Sequence, residues 1–369
     1  MNAGLASIED RIREEFLETW KEYAAFDRTL DALASLSYVL SRVTEINQET
    51  QLIDFMPRLE PVELDAGFYT PDGLIVQKHA DFVLELKTSW NHRDVRQTIK
   101  YGKSPAYFLS GGSKKQNFKS EKCVLLGYQN PPSKENLDKL FDDWKANSLP
   151  FPLVVFRYSL EQGPEGDRMF FSRVPYDRNG LCPNTKLGQA FNSTRGFPIK
   201  TANYMHYRTK FHKANDQAIE SYAAVLWWTK YARYYLSDEQ KTEMAEHGRL
   251  SSPFVIQLNK IDEVPTLPDV EVPLGPNDVR RALQFLQEAG MVKFKKQLRE
   301  FEILLKEDRY IRLPQSVPMS RSDIAVKIIG KWATNKIKKP SKTPKPPKRT
   351  RSRRGRSRGR DQRTGSLFS

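Results

Sequence analysis

Asp72, Glu85 and Lys87 are the residues whose types and spacing most directly suit chemistry in this chain. They lie in a segment that reads Thr70-Pro71-Asp72-Gly73-Leu74-Ile75-Val76, then Gln77-Lys78-His79-Ala80, then Asp81-Phe82-Val83-Leu84-Glu85-Leu86-Lys87-Thr88. Two apolar runs around a polar turn predict an antiparallel hairpin. A turn centred on Lys78 and His79 makes paired residue numbers sum to 157, which sets Asp72 opposite Glu85. Directly opposed side chains have Cβ atoms about 5 Å apart, so the two carboxylates can share one hard cation. Lys87 falls on the face of Glu85 because strand side chains alternate. A Mg²⁺ ion held there, with Mn²⁺ as a substitute, neutralises developing charge and lowers the pKa of a bound water. The Leu86 carbonyl can complete its shell, and the lysine can orient the water or stabilise phosphoryl oxygens. The predicted chemistry is metal-assisted phosphodiester hydrolysis. Asp81 shares the face of Glu85 but lies four residues upstream, about 13 Å at roughly 3.3 Å per residue. It is expected to cap the turn instead.

Further along, Arg93 to Tyr101 reads as a helix with Gln97 and Tyr101 as i, i+4 neighbours and Arg93 one turn earlier. Val95 and Ile99 form its buried side. Pro71-Asp72, a twelve-residue gap and Glu85-Leu86-Lys87 resemble the signature of the PD-(D/E)XK nuclease superfamily. The Gln-x-x-x-Tyr helix after the Glu-x-Lys strand is similar to its RecB-like branch. The resemblance covers residues 29–174 in fold and implies a restriction-endonuclease-like α/β core, a mixed sheet flanked by helices. It implies Asp72, Glu85 and Lys87 as catalytic residues, a metal on Asp72, Glu85 and Leu86, and substrate contacts from Arg93, Gln97 and Tyr101. Many members carry a further acid on the first core helix, for which Glu45 and Glu49 are both candidates. Asp, Glu and Lys on a strand are ordinarily a solvated face, so the joint pattern carries this reading rather than Glu85-x-Lys87 alone.

The elements that must position these groups follow from apolar spacing. Leu5–Phe26 and Thr29–Ile46 predict two consecutive helices, and Leu59–Tyr69 a first strand. Lys122–Tyr128, Leu153–Tyr158 and Met169–Val174 read as strands, and Asn136–Trp144 as a helix, a pattern of mixed sheet and flanking helices. The Asn-, Gly- and Pro-rich stretch 175–200 predicts a domain boundary. Beyond it, the aromatic helix Asn215–Leu236 reads as core rather than as a base-stacking surface. Asn277 or Asp278 is a candidate N-cap for a helix that Gly290 ends, and strands Phe301–Leu305 and Tyr310–Leu313 follow. Helix, glycine stop and charged hairpin resemble a winged-helix module, in which Arg280, Arg281 and Gln284 face a groove.

Charge is concentrated at one end. Residues 336–369 hold fourteen Lys or Arg and one Asp, a net +13, so only +2 of the overall +15 belongs to residues 1–335. Such a segment lacks the apolar residues to fold and suits a polyphosphate partner, with a nuclear-localisation signal as the rival reading. Lys114 and Lys115, in a basic Gly-containing loop, are candidate phosphate contacts. Cys123 and Cys182 stand in no metal spacing, so free thiols and a reducing, intracellular setting are expected, cytoplasmic or nuclear. His206 and His212 lack ligand partners at zinc spacing. No apolar run approaches the about 20 residues of a membrane span, and the N-terminus does not read as a signal peptide. Three regions are expected: a nuclease-like domain at 1–185, a helical or winged-helix-like domain at 186–335 and a disordered basic tail at 336–369. The function expected is a Mg²⁺-dependent DNA nuclease. The alternatives are an RNA-cleaving nuclease and a nuclease-fold nucleic-acid-binding protein that does not cleave.

Overall fold

The computed structural model describes residues 7–55, 62–64, 67–69, 71–103, 121–149, 151–162, 166–210, 219–247, 250, 254–261, 263, 274–303 and 321–338. The first half comprises α1 (Ile8–Arg42), α2 (Thr44–Asn47), β1 (Thr50–Phe55), β2 (Val62–Leu64), β3 (Gly67–Tyr69), β4 (Gly73–Gln77), β5 (Ala80–Lys87), α3 (His92–Lys103), β6 (Glu121–Tyr128), α4 (Lys134–Ala146), β7 (Leu153–Glu161) and β8 (Arg168–Arg173). The second comprises α5 (Lys186–Asn192), β9 (Phe197–Lys200), α6 (Thr201–Tyr204), α7 (Glu220–Leu226), α8 (Asp238–His247), β10 (Phe254–Gln257), α9 (Pro276–Glu288), β11 (Val292–Lys295), β12 (Glu300–Ile303) and α10 (Arg321–Lys338).

The chain is an α/β protein around a seven-stranded mixed sheet in the order β1-β4-β5-β6-β7-β8-β9. The three central strands β5, β6 and β7 run parallel, and every outer pairing is antiparallel. The parallel strands are buried on both faces and read as continuous apolar runs, such as Cys123–Leu126 and Leu153–Phe156. One face packs on α1 through Phe82, Leu84, Leu86, Val154 and Phe156. The other packs on α3 and α4 through Val83, Val124, Leu126, Val95, Leu137 and Leu140.

Several expected boundaries move. The two N-terminal helices are one helix of 35 residues, opened by a capping box between Ser7 and Asp10. No Gly or Pro interrupts it, and at the expected break Asp27 and Asp31 are both held by Arg208. The edge strand is β1, and the region expected as the first strand instead contributes the separate hairpin β2–β3. The expected boundary at 185/186 falls inside the sheet layer, because β9 pairs with β8. The aromatic segment is core, as expected: Trp227, Trp228 and Tyr231 are buried. It is α-helical only to Leu226, then widens to a π-turn over Trp227–Tyr231. Thr229 Oγ1 donates back to the Val225 and Leu226 carbonyls there, a competitor to the regular ladder.

In the second half β10, β12 and β11 form an antiparallel sheet. Its hairpin joins β11 to β12, rather than Phe301–Leu305 to Tyr310–Leu313, the latter lying outside the described residues. Gly290, at φ +72, ends α9 and lets the chain enter β11 within two residues, where Phe294 meets Phe301 with ring centroids 4.7 Å apart. Pro276 opens α9 at its first turn, and Asp278 closes its capping contact by accepting from the Gly275 amide at 3.0 Å. α10 continues through Lys338, so the first residues assigned to the tail are helical; residues 339–369 lie outside the described residues. Among the described residues no helix is long and apolar enough to cross a membrane.

Candidate active site

β4 begins one residue after Asp72, and its pairs with β5 are Gly73↔Leu84, Leu74↔Val83, Ile75↔Phe82 and Val76↔Asp81. Each pair sums to 157, the register expected from the turn, and one further step sets Asp72 against Glu85. Asp81 is buried opposite Val76, toward the other end of β5 from Glu85. Even-numbered residues of β5 face α1, while Val83 faces α3, so Glu85 and Lys87 share the α3 side.

On that side the polar groups connect. Asp72 and Glu85 are both buried, and Asp72 Oδ2 accepts from the Leu86 amide at 2.6 Å. Lys87 Nζ lies 2.5 Å from Glu85 Oε1 and donates to Gln97 Oε1 at 3.3 Å. Gln97 Nε2 donates in turn to the Tyr101 hydroxyl at 2.7 Å. Gln97 and Tyr101 reach the cluster together because i and i+4 side chains share one face of α3. Arg93 lies on α3, but its side chain is outside the described residues, as are Lys114 and Lys115.

Leu86 gains a role from its neighbour across the hairpin. In an extended strand a residue's amide and carbonyl project to the same side. The Leu86 amide meets Asp72, so its carbonyl also projects toward the end of β4. The residue that the register sets opposite Leu86 is Pro71, which has no N–H to give to that carbonyl. Pro71 thus keeps the strand from closing its ladder at the point where two carboxylates converge.

Electrostatics follow from burial. Desolvation, and then the charge of Glu85, push the Asp72 carboxyl up to about 8, against the pull of Lys87 and the Leu86 amide. Burial and then Glu85 also raise the Tyr101 hydroxyl, so it stays a neutral donor. With Lys87 set against Glu85, the Asp72 carboxyl is the acid of this cluster that burial and its neighbour hold protonated. Among the described residues no group of three or more His, Cys, Asp or Glu is arranged to hold a metal ion. The available oxygen donors are Asp72, Glu85 and the Leu86 carbonyl.

Three residues that the sequence reading missed stand behind Lys87. Its carbonyl accepts from the Tyr158 hydroxyl at 3.2 Å and from the Gln129 amide at 3.0 Å. Tyr158 Oη lies 3.3 Å from Thr29 Oγ1, and Gln129 Nε2 donates to the Ala25 carbonyl at 2.8 Å. Burial lifts the Tyr158 hydroxyl to about 12. α1, β6 and β7 thereby clamp the end of β5. No local pattern marks these residues, since they become neighbours only when the sheet and α1 assemble.

Other expected residues lie elsewhere. The Glu49 carbonyl accepts from Lys78 at 2.9 Å, at the turn end of the hairpin, and Glu49 Oε2 accepts from the Lys186 amide at 2.9 Å. Glu45 is exposed on α2, which packs beside α5. Glu49 leads into β1 beside Gln77, at the other end of β4 from Asp72, and Glu45 lies one turn earlier in the chain. Arg280 is exposed on α9, and Arg281 pairs with Asp278 at 2.7 Å. Cys123 and Cys182 are free, buried thiols with sulfurs 4.0 Å apart. In comparisons with known proteins no family model matches this chain, and neither a curated protein nor a solved structure matches it.

Proposed function

We propose that this chain is a metal-dependent nuclease that hydrolyses DNA phosphodiester bonds on a restriction-endonuclease-like core. The single observation that carries this reading is the connected set Asp72, Glu85, Lys87, Gln97 and Tyr101 at one end of the β4–β5 hairpin. A set of oxygen donors suits a hard cation such as Mg²⁺ or Mn²⁺, and Asp72, Glu85 and the Leu86 carbonyl would hold it. Such an ion, when bound, supplies a Lewis acid and a water of lowered pKa. Lys87 orients the attacking water or stabilises phosphoryl oxygens, while Gln97 accepts from the Lys87 ammonium and helps to fix it. The three-stranded sheet with α9 serves as a winged-helix-like binding module, and the basic residues after Lys338 add sequence-independent attraction to phosphate.

A second reading, a nuclease-fold protein that binds nucleic acid without cutting it, is favoured by one observation: only two carboxylates meet at the site among the described residues. The experiment that decides is cleavage by the full chain of linear, circular and single-stranded DNA and of RNA, with Mg²⁺, with Mn²⁺ and with chelator. DNA cleavage that needs either ion is expected. Binding without cleavage of any substrate selects the second reading, and cleavage confined to RNA moves the substrate class.

A further inference from the structure

The turn between β11 and β12 carries residues for which the packing of the fold supplies no use. Residues 293–299 read Lys-Phe-Lys-Lys-Gln-Leu-Arg, four cations and no acid. Lys295 is drawn against the hairpin by Glu300 and Glu302, at 3.3 and 3.4 Å. Lys293, Lys296 and Arg299 are exposed and make no ion pair among the described residues. Between Lys296 and Arg299 stands Leu298 with 60% of its surface exposed, a large apolar side chain at the tip of a charged turn. Arg299 adopts φ +51, one of two left-handed non-glycine residues among those described. The Leu258 amide holds that conformation through the Arg299 carbonyl at 2.9 Å. Non-glycine residues in this region are disfavoured and tend to mark sites with a purpose beyond folding.

From this juxtaposition we infer that the β11–β12 turn is a contact for double-stranded DNA, with Lys293, Lys296 and Arg299 on backbone phosphates and Leu298 as an apolar wedge at the minor groove. The inference rests on DNA as the partner in the reading above, and not on cleavage. Cations without acidic partners match the one invariant feature of a duplex, its phosphates. Leucine is among the side chains that proteins press between base steps. An anionic membrane shares the charge but needs a continuous apolar face, and the tip offers a single leucine. The helix just before the hairpin points the same way. Exposed Arg280, Gln284 and Gln287 recur at i, i+4 and i+7 on α9, a stripe of guanidinium and amide groups of the kind that pair with base edges.

The test uses the full-length chain and a mixed-sequence duplex, with affinity measured by fluorescence anisotropy across salt concentrations. The double variant Lys296→Glu/Arg299→Glu is expected to weaken binding by on the order of tenfold or more at 0.1 M salt. Its salt slope should fall by about 1.8, from roughly 0.9 for each of two phosphate contacts. Leu298→Ala, at an exposed position that leaves the fold intact, should keep the slope and abolish the unstacking signal of 2-aminopurine in the duplex. The neutral variant Lys296→Gln/Arg299→Gln, checked by circular dichroism, provides the same reading if charge reversal perturbs folding. Affinity, slope and unstacking all equal to the parent chain would overturn the inference. So would variant-sensitive binding to vesicles with anionic headgroups without any change on DNA. Cleavage is measured in the same samples: turn-dependent binding without cleavage sinks the nuclease reading alone, and cleavage with turn-independent binding sinks this inference alone.

Discussion

Two largely buried sites in this molecule contain the same groups, two acidic side chains and one basic one, and do different things with them. At the first, Arg208 spans both acids: its guanidinium binds Asp31 through one nitrogen and Asp27 through another at 2.5 Å. A planar fork of donors matches two acceptors at once and tolerates burial well, so the trio ties α1 to the segment after α6. At the second, Lys87 is a point charge that reaches Glu85 at 2.5 Å, while Asp72 takes a backbone amide. One acid is answered by the local cation and the other is held largely protonated by burial and by its neighbour. A closed ion trio is a fastener. The second pair keeps one acid without a cation of its own, which is the feature that the proposed metal site uses.

The largest effect that would test this contrast is on turnover. Asp72→Ala or Glu85→Ala should lower DNA cleavage on the order of a thousandfold or more while leaving duplex affinity nearly unchanged. Either variant retaining parental turnover in Mg²⁺ would show that the cation is held elsewhere.

Exchanging the cations is the next test. Arg208→Met strands the buried Asp31 and the half-buried Asp27 and should cost about 3 kcal/mol of stability, read as a fall in the midpoint of urea unfolding. Lys87→Met should instead spare most of the stability and slow the chemical step in single-turnover experiments, because its charge acts most strongly in the transition state. Equal losses of stability in the two variants would erase the distinction between fastener and site.

The third test is pH. A carboxyl raised to about 8 in the folded chain is protonated there while it is ionised in the unfolded chain. Its contribution to stability is therefore full below the unfolded value near 4 and is lost as pH rises through about 8. In chelator, Asp72→Asn should remove that decline and make the protein more stable at pH 8.5 by on the order of a few kcal/mol. Mg²⁺ should stabilise the parent chain more at pH 8.5 than at pH 6, since the ion competes with the Asp72 proton. Thermal midpoints that run parallel for the two proteins across this range would contradict the assignment.

The smallest expected effect is at the clamp behind the lysine. Tyr158→Phe removes one donor to the Lys87 carbonyl, worth about 1 kcal/mol, and should reduce kcat a few-fold with KM unchanged. A change in KM alone would make Tyr158 a general packing residue.

The hairpin was readable because everything that sets it is local. Turn length and alternation determine register, and a slip of one residue would bury Glu85 and Lys87 against α1. The helical face of Gln97 and Tyr101 was readable for the same reason. Helix ends were less so: α1 runs through Asp27 and Arg28 without a break, because a contact to Arg208 far along the chain supports it. β1 was missed because six residues following a short helix have too little pattern to separate strand from loop. Glu45 and Glu49 fit the further acid that the resemblance implies by sequence position alone, yet Glu45 is exposed on α2 and Glu49 sits at the turn end of the hairpin, beside Lys78.

The sequence by itself determined which acids oppose each other, which lysine joins them and where charge is concentrated, since these depend on alternation, turn length and composition. Only the tertiary structure decided what stands behind Lys87, which acids are tied up by Arg208 and where the β11–β12 turn presents Leu298. Those outcomes depend on burial and on hydrogen bonds between segments distant in the chain, and neither is written in any short stretch of it.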